Sequence, residues 1–433
     1  MSESVVADRR EFLAAAAVGT VAATSALGAP DVHVSVDDAI KIGLVGCGGR
    51  GSGAAGLAMR ADPNVKLVAL GDMFPDRLES AKQTLREQGQ EKFAVEDKNC
   101  FVGWEAYKHV IDAVDVVLLA TPPHFRPMHL RHAIEKGKHA FMEKPVAVDA
   151  PGIRSVLETA KMAKEKGLSI CSGFCYRFHP GVRELMKRVH AGEIGDIVAI
   201  QSTYNTGYLW SKERTPEMTD MEWQLRNWLY FTWLSGDHNV EQHVHSIDKA
   251  MWTMEINAQK GMKTHPLKCV GLGGRQVRVE PMWGNIFDHH AVVYEFDGGT
   301  RVFSYCRQQD KTKGEDSDRI MGTKGQAFVQ QFGTQRIDVP GKPVWRYKAP
   351  SNCYLIEHQE HFKSIREKKP MEVAEKAAHS TLMAIMGRMA TYTGQEITWE
   401  MALNSKQDLT PPKYEFGPLP VAEVAKPGVT QFV

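Results

Sequence analysis

The stretch IKIGLVGCGGRG, Ile40 to Gly51, sets a short β-branched apolar run directly before a glycine-rich turn. IKIGLVG has the composition of a buried strand, and GAAGLAMR, Gly53 to Arg60, that of a helix. Between them Gly46, Gly48 and Gly51 spell G-x-G-x-x-G. The first glycine permits a tight turn, the second lets backbone approach a pyrophosphate, and the third allows the helix to pack closely on the strand. Phosphate charge at Gly48, Gly49 and Arg50 would then meet the positive end of the helix dipole. About twenty residues further on, VKLVALGD ends at Asp72, where a carboxylate can bind the adenosine ribose hydroxyls and repel a 2'-phosphate. This favours NAD over NADP, although Arg77, five residues later, keeps NADP open.

Outward from that unit, VDVVLLATPP, Val114 to Pro123, and KHAFMEKPV, Lys138 to Val146, read as a third and a fourth strand. Strands alternating with helices predict a parallel, doubly wound sheet, here over residues 38–160. Helices are predicted from Pro151 to Lys166, Pro180 to Ala191, Leu355 to Ile365 and Val373 to Tyr392. HHAVVYEFDGGTRVFSYCRQQ, His289 to Gln309, has two alternating runs around a DGG turn and predicts a hairpin. GTKGQAFVQQF, Gly322 to Phe332, predicts another antiparallel pair. The expected fold is therefore α/β: an N-terminal Rossmann dinucleotide-binding domain, then a C-terminal α/β domain over 161–405 with a larger sheet. A polar, proline-rich tail over 406–433 follows.

With 53 Lys and Arg against 52 Asp and Glu the formal net charge is +1, and no long basic run occurs. Nothing would steer nucleic acid or anionic lipid to this surface, so a small polar ligand is the expected partner. The seven cysteines form no CxxC pair and predict buried thiols rather than a disulfide framework. Residues 1–30 differ in texture: Arg9 and Arg10 precede an uncharged Ala/Gly-rich run from Phe12 to Ala29. RREFL resembles the R-R-x-F-L core of a twin-arginine export signal, with Asp8 where Ser or Thr is usual. The run is weakly apolar for a membrane-spanning helix, and no later segment is apolar enough to span. The mature chain is thus expected to be free of the membrane and outside the cytoplasm, exported already folded.

Several residues carry chemistry. ATPPHFRP, Ala120 to Pro127, ends the third strand at the carboxyl edge, where Thr121 and Pro122 would face the nicotinamide ribose. His124 either joins them or sits in a surface loop. Glu143 and Lys144 of EKP end the fourth strand at the same edge; such a lysine can bind a sugar hydroxyl or share in proton transfer. GDHNVEQHVHSID, Gly236 to Asp248, concentrates three histidines and three carboxylates. A helix from Asn239 would put Glu241, His245 and Asp248 on one face, with His243 about 200° round the axis. Two histidines so placed cannot share an ion, whereas on a strand they could. A proton relay is favoured over a metal, and no metal is expected.

At this point the chain resembles the Gfo/Idh/MocA family of sugar oxidoreductases, which includes glucose-fructose oxidoreductase and inositol dehydrogenase. The resemblance runs from Ile40 to about Leu403. It rests on IGLVGCGGRG, ATPP followed by GKHAFMEKPVA, GFCYRFHP, AGEIGDI, EQHVHSIDKAMW, EHQEHFKSI and GRMATYTGQEITWE. It implies a second domain whose large, mostly antiparallel sheet carries the substrate site, and a homo-oligomer. The family's D-x-x-x-H aligns with Glu241 and His245, so a Glu replaces the Asp and His245 takes the catalytic place beside Lys144. Pro127 stands where the family often has His. Tyr176 and Arg177 of GFCYRFHP would reach cofactor or sugar, or else join the domains. Trp228 and Tyr230 of RNWLYFTWLSG would stack on a sugar ring, or else fill an interface.

The reaction so implied is hydride transfer between nicotinamide and a ring carbon of a sugar or glycoside. Export leaves little free NAD, so the cofactor is expected to be tightly held and recycled. Two rival readings are an NAD-dependent glycosidase working through a transient keto sugar, and a non-catalytic sugar or nucleotide sensor.

Overall fold

In the computed structural model, which describes residues 38–331 and 333–433, the chain builds two sheets. The leader over residues 1–30 lies outside the described residues. Strands buried on both faces need unbroken apolar runs, and the sequence supplies them at β1 (Ile40–Val45), β2 (Val65–Asp72), β4 (Val116–Leu119) and β5 (His139–Met142). Two short strands complete the set, β3 (Cys100–Val102) and β6 (Ile170–Ser172). All pairs are parallel and the order is β3-β2-β1-β4-β5-β6, the doubly wound arrangement that binds dinucleotides. The sheet ends at Ser172 and so extends past the boundary expected at residue 160. β3 and β6 are three residues each, too short to show a period in sequence.

The second sheet holds β7 (Ile197–Thr206), β8 (Pro266–Gly274), β9 (His289–Phe296), β10 (Arg301–Gln308), β11 (Glu315–Gly322), β12 (Gln326–Gln330), β13 (Gln335–Asp338), β14 (Trp345–Tyr347) and β15 (Ile397–Thr398). Its order is β14-β13-β12-β11-β7-β10-β9-β8-β15, antiparallel except for β7 with β10. The hairpin of β9 and β10 forms where the alternation predicts it, whereas the stretch Gly322 to Phe332 supplies β12 and only the last residue of its antiparallel partner β11, which lies upstream. Val292, Tyr294, Val302 and Cys306 point to the buried face. On the other face Leu272, Ala291 and Tyr305 line up across three strands, with Leu272 79% exposed.

One continuous apolar core contains Leu44 and Leu118 of the first sheet together with Val292 and Val302 of the second. The helix Ala374–Thr393 stitches the two, packing on β8, β9 and the helix Ala150–Glu165. At Gly387 it approaches the sheet so closely that a Cβ would lie 2.1 Å from the Tyr294 hydroxyl. Buried Arg388, one residue on, donates to Val148 O at 2.7 Å and Gly236 O at 3.2 Å, tying the two domains by their backbones. The seven cysteines are free thiols, all but Cys100 buried.

The tail departs from its polar reading. It has no helix or strand from residue 406 on, yet it is strapped down. Gln224 Nε2 donates to Leu419 O at 2.6 Å and Met221 N to Gly417 O at 3.2 Å. Tyr414 and Leu419 pack against an apolar cluster of Phe74, Phe125, Trp223 and Phe231. Apolar side chains scattered through a Pro/Gly-rich segment show no period, so only the fold reveals that each has a buried partner.

Interior histidines make an acid-sensitive core. Burial holds His129, His243, His358 and His361 below the ordinary imidazole range, His129 and His361 at about 3. Unfolded, these rings take up protons near pH 6.5; folded, they do not. The unfolded chain therefore binds more protons below that pH, and stability falls as pH drops through it. The slope is about 1.4 kcal/mol per pH unit for each such histidine. Urea unfolding at pH 7.5 and at pH 5.5 should show this loss; equal midpoints would contradict it.

Candidate active site

The glycine turn is shaped by close approach. Gly46 has φ +97°, a conformation that side chains disfavour, and a Cβ on Gly51 would lie 1.9 Å from Gly46 O. Gly48 and Gly49 open the helix Gly49–Ala61 with nothing within 4 Å of where a Cβ would stand, leaving backbone N–H groups bare at a helix N-terminus. Asp72 lies at the carboxyl end of β2. One carboxylate oxygen accepts Cys47 N–H at 2.6 Å and the other Phe74 N–H at 2.9 Å. Each oxygen keeps a lone pair for a further donor.

These residues line a groove of about 700 Å³ that also takes in Thr121, Pro122, Trp228 and Tyr414. The Thr121 hydroxyl is buried without a hydrogen-bond partner among the described residues. Size, open glycine backbone, ribose-range carboxylate and orphan hydroxyl together fit a nicotinamide dinucleotide. Arg77 also lines the groove, with its guanidinium donating to Arg226 O at 3.3 Å. Sequence reading missed Trp104, Tyr107, His129, Trp210 and Tyr414 on these walls. Their aromatic character was visible, but nothing local marked which aromatic residues the fold gathers.

Lys144 and the GDHNVEQHVHSID segment meet at the end of β5. The single helix expected from Asn239 is instead two pieces, His238–Glu241 and Val244–Met254. His243 N–H reaches back five residues to His238 O at 3.0 Å, and His245 N–H bonds Gln242 O at 3.4 Å. This widened turn leaves Glu241 O outside the helical ladder. Lys144 Nζ takes that oxygen at 2.5 Å and Glu241 Oε1 at 3.0 Å. Glu241 thus pairs with Lys144 and does not share a helix face with His245.

His245 is 8% exposed, with its ring edge-on to Tyr176 at 5.4 Å and its Nδ1 lacking a hydrogen-bond partner among the described residues. Burial, and then the charges of Lys144, Lys249 and Arg50, hold the ring well below the ordinary imidazole range. The imidazole is neutral at pH 7 and free to accept a proton. His243 turns the other way, its Nε2 2.7 Å from Ser304 Oγ on β10, so the two histidines do not converge on one point.

Other residues named from sequence sit elsewhere. Arg177 is bound by Asp248 at 2.8 Å and Glu255 at 3.1 Å and stacks on Trp252; it lies outside the dinucleotide groove and borders a separate, smaller cavity. Tyr230 is fully buried, its hydroxyl shared between Leu209 O and Trp210 O at 3.0 Å, which removes it from any sugar surface. Tyr176 lies buried beneath His245. His124 packs on Trp233 and bonds the Tyr414 hydroxyl at 2.8 Å, and burial lowers its pKa to about 4. Glu143 holds Arg50 at 2.5 Å, and Arg50 reaches Glu357 at 3.3 Å, so Glu143 braces the loop from behind. Trp228 does line the groove, 6.1 Å from the Trp210 ring.

Because Tyr414 brings the tail into the groove wall, Tyr414→Ala should weaken nucleotide binding by about tenfold, about 1.4 kcal/mol, at unchanged fold. Calorimetric titration with NAD measures it; an unaltered affinity would remove the tail from the site.

Residues 40–173 match the GFO/IDH/MocA family, described as an oxidoreductase family with an NAD-binding Rossmann fold. The scyllo-inositol 2-dehydrogenase (NAD(+)) of Bacillus subtilis is 32% identical over 309 residues, 69% of this chain and 76% of that protein. Inositol 2-dehydrogenase 4 of Saccharopolyspora erythraea is 36% identical over 158 residues, 36% of this chain and 42% of that protein. The crystal structure of scyllo-inositol dehydrogenase from Lactobacillus casei with bound NAD(H) and scyllo-inositol superposes with a TM-score of 0.63 at 21% identity, covering 84% of this chain and 100% of that one. By the match over residues 40–173 and by a 32%-identical relative aligned over 69% of this chain and 76% of its own length, the chain belongs to the GFO/IDH/MocA family of NAD-binding oxidoreductases.

Proposed function

We propose that this enzyme moves a hydride between NAD and a ring carbon of a sugar, cyclic polyol or glycoside, with Lys144, Glu241 and His245 handling the hydroxyl. The observation that carries the proposal is a paired lysine whose charge acts on a buried histidine; that lysine is next in the chain to Glu143, which holds Arg50 on the wall of the dinucleotide groove. Oxidising a carbinol removes a hydride from carbon and a proton from oxygen, and bound NAD supplies the hydride acceptor. His245 takes the proton on a ring nitrogen. Lys144 has three ammonium hydrogens; Glu241 engages two, at its carbonyl and its carboxylate, and the third remains for the substrate oxygen. Glu241 keeps the ammonium aimed and balances its charge. The inositol dehydrogenases among the relatives support a polyhydroxylated ring as substrate.

Asp72 supports NAD over NADP, because a 2'-phosphate would meet a carboxylate there. The Arg9–Arg10 leader supports export of the folded chain, and scarce free NAD outside the cytoplasm supports a retained cofactor, reoxidised by a second sugar. The outward row of Leu272, Ala291 and Tyr305 supports a homo-oligomer.

Denaturing the purified protein and weighing the released nucleotide should give about one NAD per chain. NADP in its place would overturn the Asp72 argument, and no nucleotide would overturn retention. His245→Ala should lower kcat by about 10²- to 10⁴-fold with nucleotide binding kept. The acid limb of the wild-type kcat profile should lie below the ordinary histidine value of about 6.5; a limb at or above it would exclude His245 as the base. Hydrolysed glycoside without net oxidation would point to the keto-sugar glycosidase instead.

A further inference from the structure

We propose that Asp237, His238 and His290 hold a divalent first-row transition-metal ion inside the second domain, outside the nucleotide groove. Asp237 and His238 begin the turn that leads to Glu241, and His290 is the second residue of β9. All three are buried, and one ligand atom from each lies within 4.8 Å of the others.

The hydrogen-bond directions make the case. Asp237 Oδ1 is 2.8 Å from His238 Nδ1 and 3.2 Å from His290 Nε2. These are hydrogen-bond distances, yet neither nitrogen makes a hydrogen bond among the described residues, because the ring N–H directions miss the oxygen. On His290 the far nitrogen fixes the near one. Nδ1 lies 2.9 Å from Thr391 Oγ1, and the Thr391 hydroxyl gives its one hydrogen to Arg388 O at 3.0 Å. Nδ1 must therefore be the donor, and in the neutral ring Nε2 carries a lone pair. That lone pair lies 3.2 Å from an oxygen of a buried carboxylate without being aimed at it, an unfavourable closeness unless a cation near both offsets it.

The surroundings match those of a ligand set. The other Asp237 oxygen is held by the Tyr392 hydroxyl at 2.5 Å and Phe287 N–H at 2.9 Å, and the Thr391 contact orients His290. Such outer bonds fix ligating carboxylates and imidazoles in place. Two imidazole nitrogens with one carboxylate oxygen suit zinc or a neighbouring first-row ion better than calcium or magnesium. An ion here would pin the start of the catalytic turn to β9. The rival cation is a proton on Nε2, making a plain imidazolium–carboxylate pair.

Elemental analysis of protein purified without chelators separates the two. About one equivalent of a first-row metal per chain is expected, kept in His245→Ala and lost in His290→Phe, which fills the same space. Protein exchanged with Co²⁺ should show visible ligand-field bands that His290→Phe lacks. Metal-free protein that retains no Zn²⁺ after equilibration and gel filtration would overturn the proposal in favour of the proton. Equal metal in folded His290→Phe would overturn it too. If that variant fails to fold, the metal content and Co²⁺ spectrum of the unaltered protein still decide.

Discussion

Lys144 reaching Glu241 is the contact on which the site depends. It joins the end of β5, in the dinucleotide-binding sheet, to the turn that opens the second domain's helix Val244–Met254. One of its two acceptors is a main-chain oxygen that an unbroken helix would have used internally. The widened turn at Gln242 and His243 is therefore what makes Glu241 O available, and it also swings His245 to a separate azimuth. A partly buried ammonium that lost these acceptors would be costly, so site geometry and domain placement are set together.

Arg388 works the same way between the domains, as a buried cation bridging Val148 O and Gly236 O, and Arg177 does so within the second domain, clamping Asp248 and Glu255. Guanidinium groups suit this use because several fixed donors hold direction as well as distance. Gly236 directly precedes Asp237, so Arg388 helps to place the turn that carries Glu241. The core shared by both sheets and the tail packed beside the nucleotide groove complete a frame in which the groove and the Lys144 cluster belong to one body.

Much of this was legible in sequence wherever a signal was local. The glycine turn, the apolar runs of β1, β2, β4 and β5, and the DGG hairpin follow from spacing and composition alone. Long-range partners were not. Sequence leaves Arg177 open between ligand contact and structural joint until Asp248 and Glu255 are seen to occupy it, and Tyr230 open between sugar platform and packed core until its hydroxyl is found bound to backbone. The uninterrupted helix from Asn239 failed because periodicity cannot see the five-residue hydrogen bond from His243 N–H to His238 O. Tyr414 was invisible for the opposite reason: its segment has no period, and only the fold carries it back to the groove.

The central claim is hydride transfer between a substrate ring carbon and the nucleotide in this groove. The most direct test is a single turnover with cyclic polyols and sugars deuterated at one ring carbon at a time, followed by weighing the nicotinamide nucleotide released on denaturation. The account predicts one deuterium in the nucleotide from one labelled carbon, and none with Lys144→Ala. Product that forms while the deuterium passes to solvent and never to the nucleotide would contradict it.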